Sequence, residues 1–304
     1  MNETGRPKQR ICFIINPVSG RRRHKNIVEQ IYHDIDQKKF EVIIQFTEAS
    51  GHAKQICKNA IKDKIDIIVA VGGDGTINEV ASQMLYSESV LGIIPGGSGN
   101  GLARHLGIPR NVAKAIKLIN TTNQTKIDTA KVNSQTFISI AGIGFDALVA
   151  EEFAESARRG FISYSSIVTK RFLKYRPKKY KLTFDDGTVV KTRALFIAFA
   201  NSNQFGYNTQ IAPNALLNDG KLDICIVQKP HIVEMPIIAN LMLLKKIDKS
   251  QHINIIQSPG VVVERSKNRT VNIDGEPMKI KKKLIVKVEP SSLNIIIPKN
   301  GQKR

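Results

Sequence analysis

Residues 65–104 read IDIIVAVGGDGTINEVASQMLYSESVLGIIPGGSGNGLAR. The run 65–71 is apolar and largely β-branched, of a length for one buried strand. It stops at Gly72-Gly73-Asp74-Gly75, where glycine permits positive φ and close approach of a ligand. Thr76 with Glu79 three residues later has the spacing of a capping box, predicting a helix that begins there. The order is strand, glycine turn, helix N-terminus, and a helix start offers free N–H groups and a positive dipole end to phosphate. A second strand over 90–94 enters another glycine turn, Pro95-Gly96-Gly97-Ser98-Gly99-Asn100-Gly101, before Leu102-Ala103-Arg104. Two such turns on adjacent strands predict a polyphosphate cradle, with Asp74 an acid able to hold a metal. A pair of ordinary tight turns is the plainer alternative. Neither turn is a Walker A loop, because Leu102 stands where lysine would be required. Nor is the first a dinucleotide fingerprint, its glycine spacing being wrong.

Around this stretch the chain alternates strand and helix. A strand at 11–15 ends in Asn16-Pro17-Val18-Ser19-Gly20. Ile27, Ile31 and Ile35 recur at helical spacing, predicting a helix over 24–37. A strand at 40–46 ends at Thr47, followed by a helix with Ala53, Ile56, Cys57, Ala60 and Ile61 on one face. Val112, Ala115, Ile116 and Ile119 mark another helix. This predicts a mostly parallel α/β/α domain over 8–125, with ligands at the carboxyl ends of its strands.

From 126 to 304 short strands dominate, predicting a second, antiparallel β-sandwich domain. Strands are expected at 137–141, 181–184, 189–190, 194–200, 221–227, 253–257, 261–264, 270–273, 284–288 and 293–297. Asp186-Gly187 is a hairpin signal. Helical segments are expected at 147–175 and 232–246, the latter strongly apolar and read as a core helix, with insertion into a membrane interface as the alternative.

The 304 residues carry 46 Lys and Arg against 26 Asp and Glu, a net charge of +20, which implies polyanionic company. Basic clusters fall at Arg21-Arg22-Arg23, 170–181 and 279–283. No stretch has the length of a membrane span, and the polar N-terminus lacks a signal-peptide pattern. Cys12, Cys57 and Cys225 lie in apolar segments and read as buried, reduced thiols of a cytoplasmic protein. Six histidines show no metal-ligand spacing. No recognised nucleic-acid motif is present, so no nucleic-acid partner is expected.

Two acidic turns stand out in the second domain. Asn218-Asp219-Gly220-Lys221-Leu222-Asp223 offers a carboxylate and carbonyls suited to a hard cation, or is simply a good turn. Asn272-Ile273-Asp274-Gly275-Glu276 sets two carboxylates about a glycine, as a hairpin corner or as a source of a base for an acceptor hydroxyl.

Together these residues resemble the diacylglycerol kinase catalytic family, which includes bacterial diacylglycerol and lipid kinases and the sphingosine and ceramide kinases. The likeness adds Gly51-His52-Ala53, Ala141-Gly142-Ile143-Gly144-Phe145-Asp146-Ala147 and Ile211-Ala212-Pro213 to the motifs above. It implies an ATP- and Mg2+-dependent kinase of a lipid such as diacylglycerol or sphingosine, working in a cleft between two domains. By resemblance, Asn16, Pro17, Val18, Ser19, Gly20, Thr47, Gly72, Gly73, Asp74, Gly75, Thr76, Ile77, Asn78, Glu79 and Ser98 surround ATP. Asp219, with the carbonyls of Leu216 and Lys221, is similar to a structural magnesium site. Glu276 matches the proton acceptor, with Asp274 and Asp74 as rivals. An anionic membrane surface is the implied peripheral partner, and a homodimer is allowed. Gly101 stands where many bacterial relatives carry aspartate, which leaves the acceptor lipid open, and 205–209 lacks their glycine-rich wording. A kinase of a soluble acceptor such as NAD, and a non-catalytic nucleotide- or membrane-binding protein, are the alternatives.

Overall fold

The computed structural model describes residues 7–19, 26–97, 99–156, 161–206 and 209–299. The chain forms two compact units, Met1–Ile127 with Ser291–Arg304, and Asp128–Pro290. The segment 291–304, assigned from sequence to the second domain, thus clusters with the first unit.

In the first unit the order is β1 (Gln9–Ile15), α1 (Ile27–Asp34), β2 (Phe40–Phe46), α2 (His52–Lys62), β3 (Ile67–Gly72), α3 (Asp74–Ala81), β4 (Val90–Pro95), α4 (Gly101–His105) and α5 (Val112–Asn120). The strands pair in parallel in the order β2-β1-β3-β4. Every residue of β3 is buried, as expected of a parallel strand covered on both faces. On one face Ile27 and Ile31 of α1 and Val112, Ala115, Ile116 and Ile119 of α5 share a core with Ile11, Phe13, Ile15, Val69 and Val71. The buried faces of α2 (Ala53, Ile56, Cys57, Ala60) and α3 (Ile77, Val80, Ala81) meet where the Cys57 thiol contacts the Val80 carbonyl. The helix expected over 24–37 is described only from Ile27, since 20–25 lie outside the described residues. Beyond β4 the sheet gains Ile295, parallel to Leu91, from the last strand of the chain.

The second unit contains β5 (Gln124–Val132, from Asp128 on), β6 (Gln135–Phe137), β7 (Ile140–Gly144), α6 (Phe145–Glu155), α7 (Phe161–Lys174), β8 (Lys178–Phe184), β9 (Val189–Ala194), β10 (Phe196–Ala200), β11 (Gln204–Gly206), β12 (Thr209–Gln210), β13 (Leu222–Val227), α8 (Met235–Leu243), β14 (Ile253–Ser258), β15 (Gly260–Arg265), β16 (Arg269–Ile273), β17 (Glu276–Ile280) and the first part of β18 (Lys283–Ile296). One antiparallel sheet runs β14-β13-β10-β7-β16-β17. Facing it are β9, β8, β15 and β18, with the β5–β6 hairpin beside β18. Leu182, Val261, Val263 and Leu284 from the second sheet share one core with Ile143, Ile197, Phe199 and Ile224 from the first. Strand alternation drives this: along residues 283–288 exposed and buried positions alternate strictly. The Asp186-Gly187 hairpin is present, with Gly187 at φ +85°.

Three readings are corrected here. The segment 147–175 holds two helices, α6 and α7, and the strands expected at 284–288 and 293–297 are one, β18. The segment 232–246 is not a core helix. Ile232 (62%), Val233 (79%), Ile237 (63%) and Leu244 (57%) are exposed. Among the described residues no helix is long and apolar enough to cross a membrane.

Candidate active site

Because β1–β4 are parallel, the turns that follow them lie along one edge of the sheet. The Asn16 N–H donates to the Val71 carbonyl (3.0 Å), tying the first turn to β3. Its side chain accepts from Val18 N–H (3.0 Å) and donates to Thr76 Oγ1 (3.0 Å). Thr47 N–H donates to the Ile15 carbonyl (2.9 Å) and Gly96 N–H to the Gly72 carbonyl (2.6 Å). A Cβ on Gly97 would sit 2.8 Å from the Gly73 Cα, and one on Gly72 would sit 2.6 Å from Thr76 Oγ1. The glycines therefore let turn pack on turn and helix pack on strand. Among the described residues of these turns none is a glycine at positive φ; Gly73 is extended, and Asn100 (φ +54°) takes the left-handed position. The expectation of positive-φ glycines is corrected: what requires them is close approach. Gly20 and Ser98, like Arg21-Arg22-Arg23 and Tyr207-Asn208, lie outside the described residues.

Helix α3 starts at Asp74, two residues earlier than expected, with Gly73 as its N-cap and no side-chain cap. Glu79 does not close a capping box on Thr76. Its Oε1 accepts the N–H of Gly51 (2.9 Å), the left-handed N-cap of α2. The Asp74 carboxylate spans the two glycine turns, accepting Asn100 N–H (2.7 Å) and Gly101 N–H (2.7 Å). Arg104 Nε donates to the Gly99 carbonyl (2.6 Å), and buried Asn100 brackets Gly97. Sequence reasoning gave Asn100 and Arg104 no role. Ile77 turns into the core, whereas Val18 is 64% exposed. The structure thus gathers Asn16, Thr76, Gly72, Gly73 and Asp74 at one edge, with Asp74 working as a strap.

In the second unit the β16–β17 corner holds Asp274 at φ +47° and Gly275 at φ +95°. Asp274 accepts three backbone N–H groups, from Ile138 (2.6 Å), Ser139 (2.9 Å) and Ile140 (2.8 Å). Glu276 pairs through its backbone with Ile273 across the corner, and its exposed carboxylate makes no hydrogen bond or ion pair among the described residues. The two carboxylates are therefore unlike: one is consumed by the backbone, the other is available. Beneath the corner, Asn272 Nδ2 donates to Asp146 Oδ2 (2.9 Å). Burial pushes the Asp146 carboxyl up to about 6, and the Asn272 hydrogen bond offsets part of that rise.

In the turn at 216–223, Asp219 is exposed and its Oδ1 accepts Lys221 N–H (3.0 Å). Buried Asp128 supports the turn, donating its N–H to the Leu217 carbonyl (2.6 Å) and accepting Gly220 N–H (2.8 Å). Burial raises the Asp223 carboxyl, and the Asp219 charge adds to it. Clustered negative charge and oxygen donors suit a hard cation. No group of three metal-binding side chains is present among the described residues, so carbonyls such as those of Leu216 and Lys221 must complete any such site. Nearby in sequence, Asn201 Oδ1, Ser202 Oγ and Gln204 Oε1 are buried without a hydrogen-bond partner among the described residues. Neither Asp128 nor this trio carries a spacing that reveals it in the sequence.

Residues 10–132 match the family described as the diacylglycerol kinase catalytic domain, and 139–297 match the YegS C-terminal NAD kinase beta sandwich-like domain. The chain is 31% identical over 273 residues to a diacylglycerol kinase of Bacillus subtilis, covering 88% of this chain and 90% of the relative. It is 32% identical over 264 residues to the "Probable lipid kinase YegS" of Escherichia coli, covering 84% and 86%. A crystal structure of a candidate diacylglycerol kinase from Bacillus anthracis superposes with a TM-score of 0.78 at 26% identity, covering 96% of this chain and 98% of that one.

Proposed function

Since the chain belongs to the diacylglycerol kinase catalytic-domain family, we propose that it moves the γ-phosphate of ATP to the hydroxyl of a diacylglycerol- or sphingosine-like lipid. Residues 8–125 would bind ATP and the β-rich part from 126 on would supply the acceptor site and the base. The observation that carries the reading is the division of labour at 274–276: Asp274 held by three backbone N–H groups, the Glu276 carboxylate exposed and unpaired among the described residues.

The chemistry follows from these groups. Oriented N–H groups at the start of α3 meet the phosphates without reorganisation, and the turn after β1 is held beside them by the Asn16 hydrogen bonds to Val71 and Thr76. Glu276 accepts the acceptor's hydroxyl proton as its oxygen bonds to the γ-phosphorus and the bond to ADP breaks. Asp74 acts through the turns it straps together rather than as the base. Magnesium, when bound, offsets charge on the transferring group. Asp219 with the Leu216 and Lys221 carbonyls would hold a second, structural ion. The net charge of +20 suits a cytoplasmic enzyme working peripherally on anionic membrane.

The test is Glu276→Gln. ATP binding and thermal stability stay as in the wild type, while transfer falls roughly 10²- to 10⁴-fold. Undiminished turnover removes Glu276 from the mechanism. Labelled ATP offered with diacylglycerol, sphingosine, ceramide, phosphatidylglycerol or NAD identifies the acceptor, and label on NAD alone overturns the lipid assignment.

A further inference from the structure

Ile232, Val233, Ile237 and Leu244 form an apolar surface that the fold of the second unit leaves exposed. Val233, Ile237 and Leu244 fall at i, i+4 and i+11, so α8 and the turn before it present them as one stripe. Such spacing normally faces a core. Here the core is served from elsewhere on the segment: Met235 packs against the cluster around Phe145, Phe172 and Leu195. A second segment adds to the patch. Lys229 donates through Nζ to the Leu173 and Tyr175 carbonyls (3.2 and 2.9 Å) and lies over the Phe172 ring, stapling the end of α7 to the approach to α8. Leu173 itself is 62% exposed.

The surroundings of this surface are cationic. Lys170, Lys174 and Arg176 are exposed at the end of α7, and Lys245, Lys246 and Lys249 just past α8. The acids beside it are occupied: Glu234 accepts His231 N–H (2.7 Å) and Gln251 Nε2 (3.2 Å), Glu152 pairs with Arg171, and Asp248 pairs with Lys249.

We propose that α8, with the turn before it and Leu173, is the element that inserts into an anionic bilayer, its lysines meeting lipid phosphates while Val233, Ile237 and Leu244 enter the acyl boundary. Apolar side chains ringed by cations complement that interface on both counts. A second copy of the chain fits worse, because a two-fold contact would set these cations against one another. The inference rests on the lipid-kinase reading, to which it adds the docking face.

The chain contains no tryptophan, so Ile237→Trp places a single indole on the patch. With phosphatidylcholine vesicles containing phosphatidylglycerol, its emission shifts to the blue and brominated lipid quenches it; phosphatidylcholine alone does neither. Val233→Ser with Ile237→Ser lowers flotation with the anionic vesicles roughly 10- to 100-fold. That double variant still phosphorylates a short-chain, monomerically dispersed diacylglycerol at the wild-type rate. Unchanged indole emission, wild-type flotation of the double variant, or a dimer that becomes monomeric with flotation unchanged overturns the proposal. A protein that phosphorylates no lipid, yet needs Val233 and Ile237 to float, keeps the docking face and removes the lipid-kinase reading.

Discussion

Asp146 is a buried acid whose carboxylate takes one hydrogen bond among the described residues, from Asn272. Its carboxyl is raised to about 6 by burial, against about 3.9 in an unfolded chain. The folded state therefore holds this proton more tightly than the unfolded state. The contribution is fully present below about pH 4 and lost as pH rises through about 6, a swing of about 3 kcal/mol. Asp146→Asn keeps the shape without the charge, so wild type minus variant stability should fall by that order across the window. Urea unfolding at a series of pH values measures it, and parallel profiles for the two proteins would sink the assignment. The sequence shows Gly144-Phe145-Asp146 plainly, but not that Gly142 is bare because a Cβ there would meet the Asp146 carboxylate. Depth of burial is a tertiary property. The cysteines were easier to read, since each sits in an apolar run; burial drives Cys12 up to about 11 and Cys57 to about 12.

At the scale of elements, the β16–β17 corner depends on Asp274 as a clip on the strand start at Ile140. Asp274→Ala strands three backbone donors, two of them on Ser139 and Ile140, and should cost roughly 2–4 kcal/mol. Glu276→Gln, on an exposed carboxylate unpaired among the described residues, should cost nothing measurable. Thermal unfolding of the two variants separates clip from base; equal losses would refute the distinction. The parallel strands were legible because strands covered on both faces read as unbroken apolar runs, as at 67–72. The capping-box expectation fails because Thr-x-x-Glu spacing is local, whereas the partner of Glu79 is Gly51, the N-cap of another helix. For α8 the failure has another cause: the pattern of an apolar stripe is the same whether it meets a core or a membrane.

For the whole molecule, connectivity makes the second unit an insertion within the first, which is completed only by residues 291–304. Hydrophobic pattern could not show this, because the strand signal runs on past Pro290 and says nothing about which neighbour each residue finds. The closing segment is deeply engaged. Leu293 and Ile295 are fully buried, and Ile296 and Ile297 nearly so. Tyr86 N–H donates to the Ser292 carbonyl (2.7 Å), and Asn123 and Ile297 exchange hydrogen bonds in both directions (2.8 and 2.9 Å). Each buried aliphatic side chain lost costs about 2–5 kcal/mol, so removing four exceeds the margin of a typical domain. A chain ending at Pro290 should therefore lose the first unit's cooperative unfolding and its ATP binding, while residues 128–290 keep a β-rich spectrum and their own transition. Calorimetry with and without ATP, beside limited proteolysis, reads both outcomes. Wild-type nucleotide affinity in the shortened chain would show that β1–β4 stand without their C-terminal neighbour.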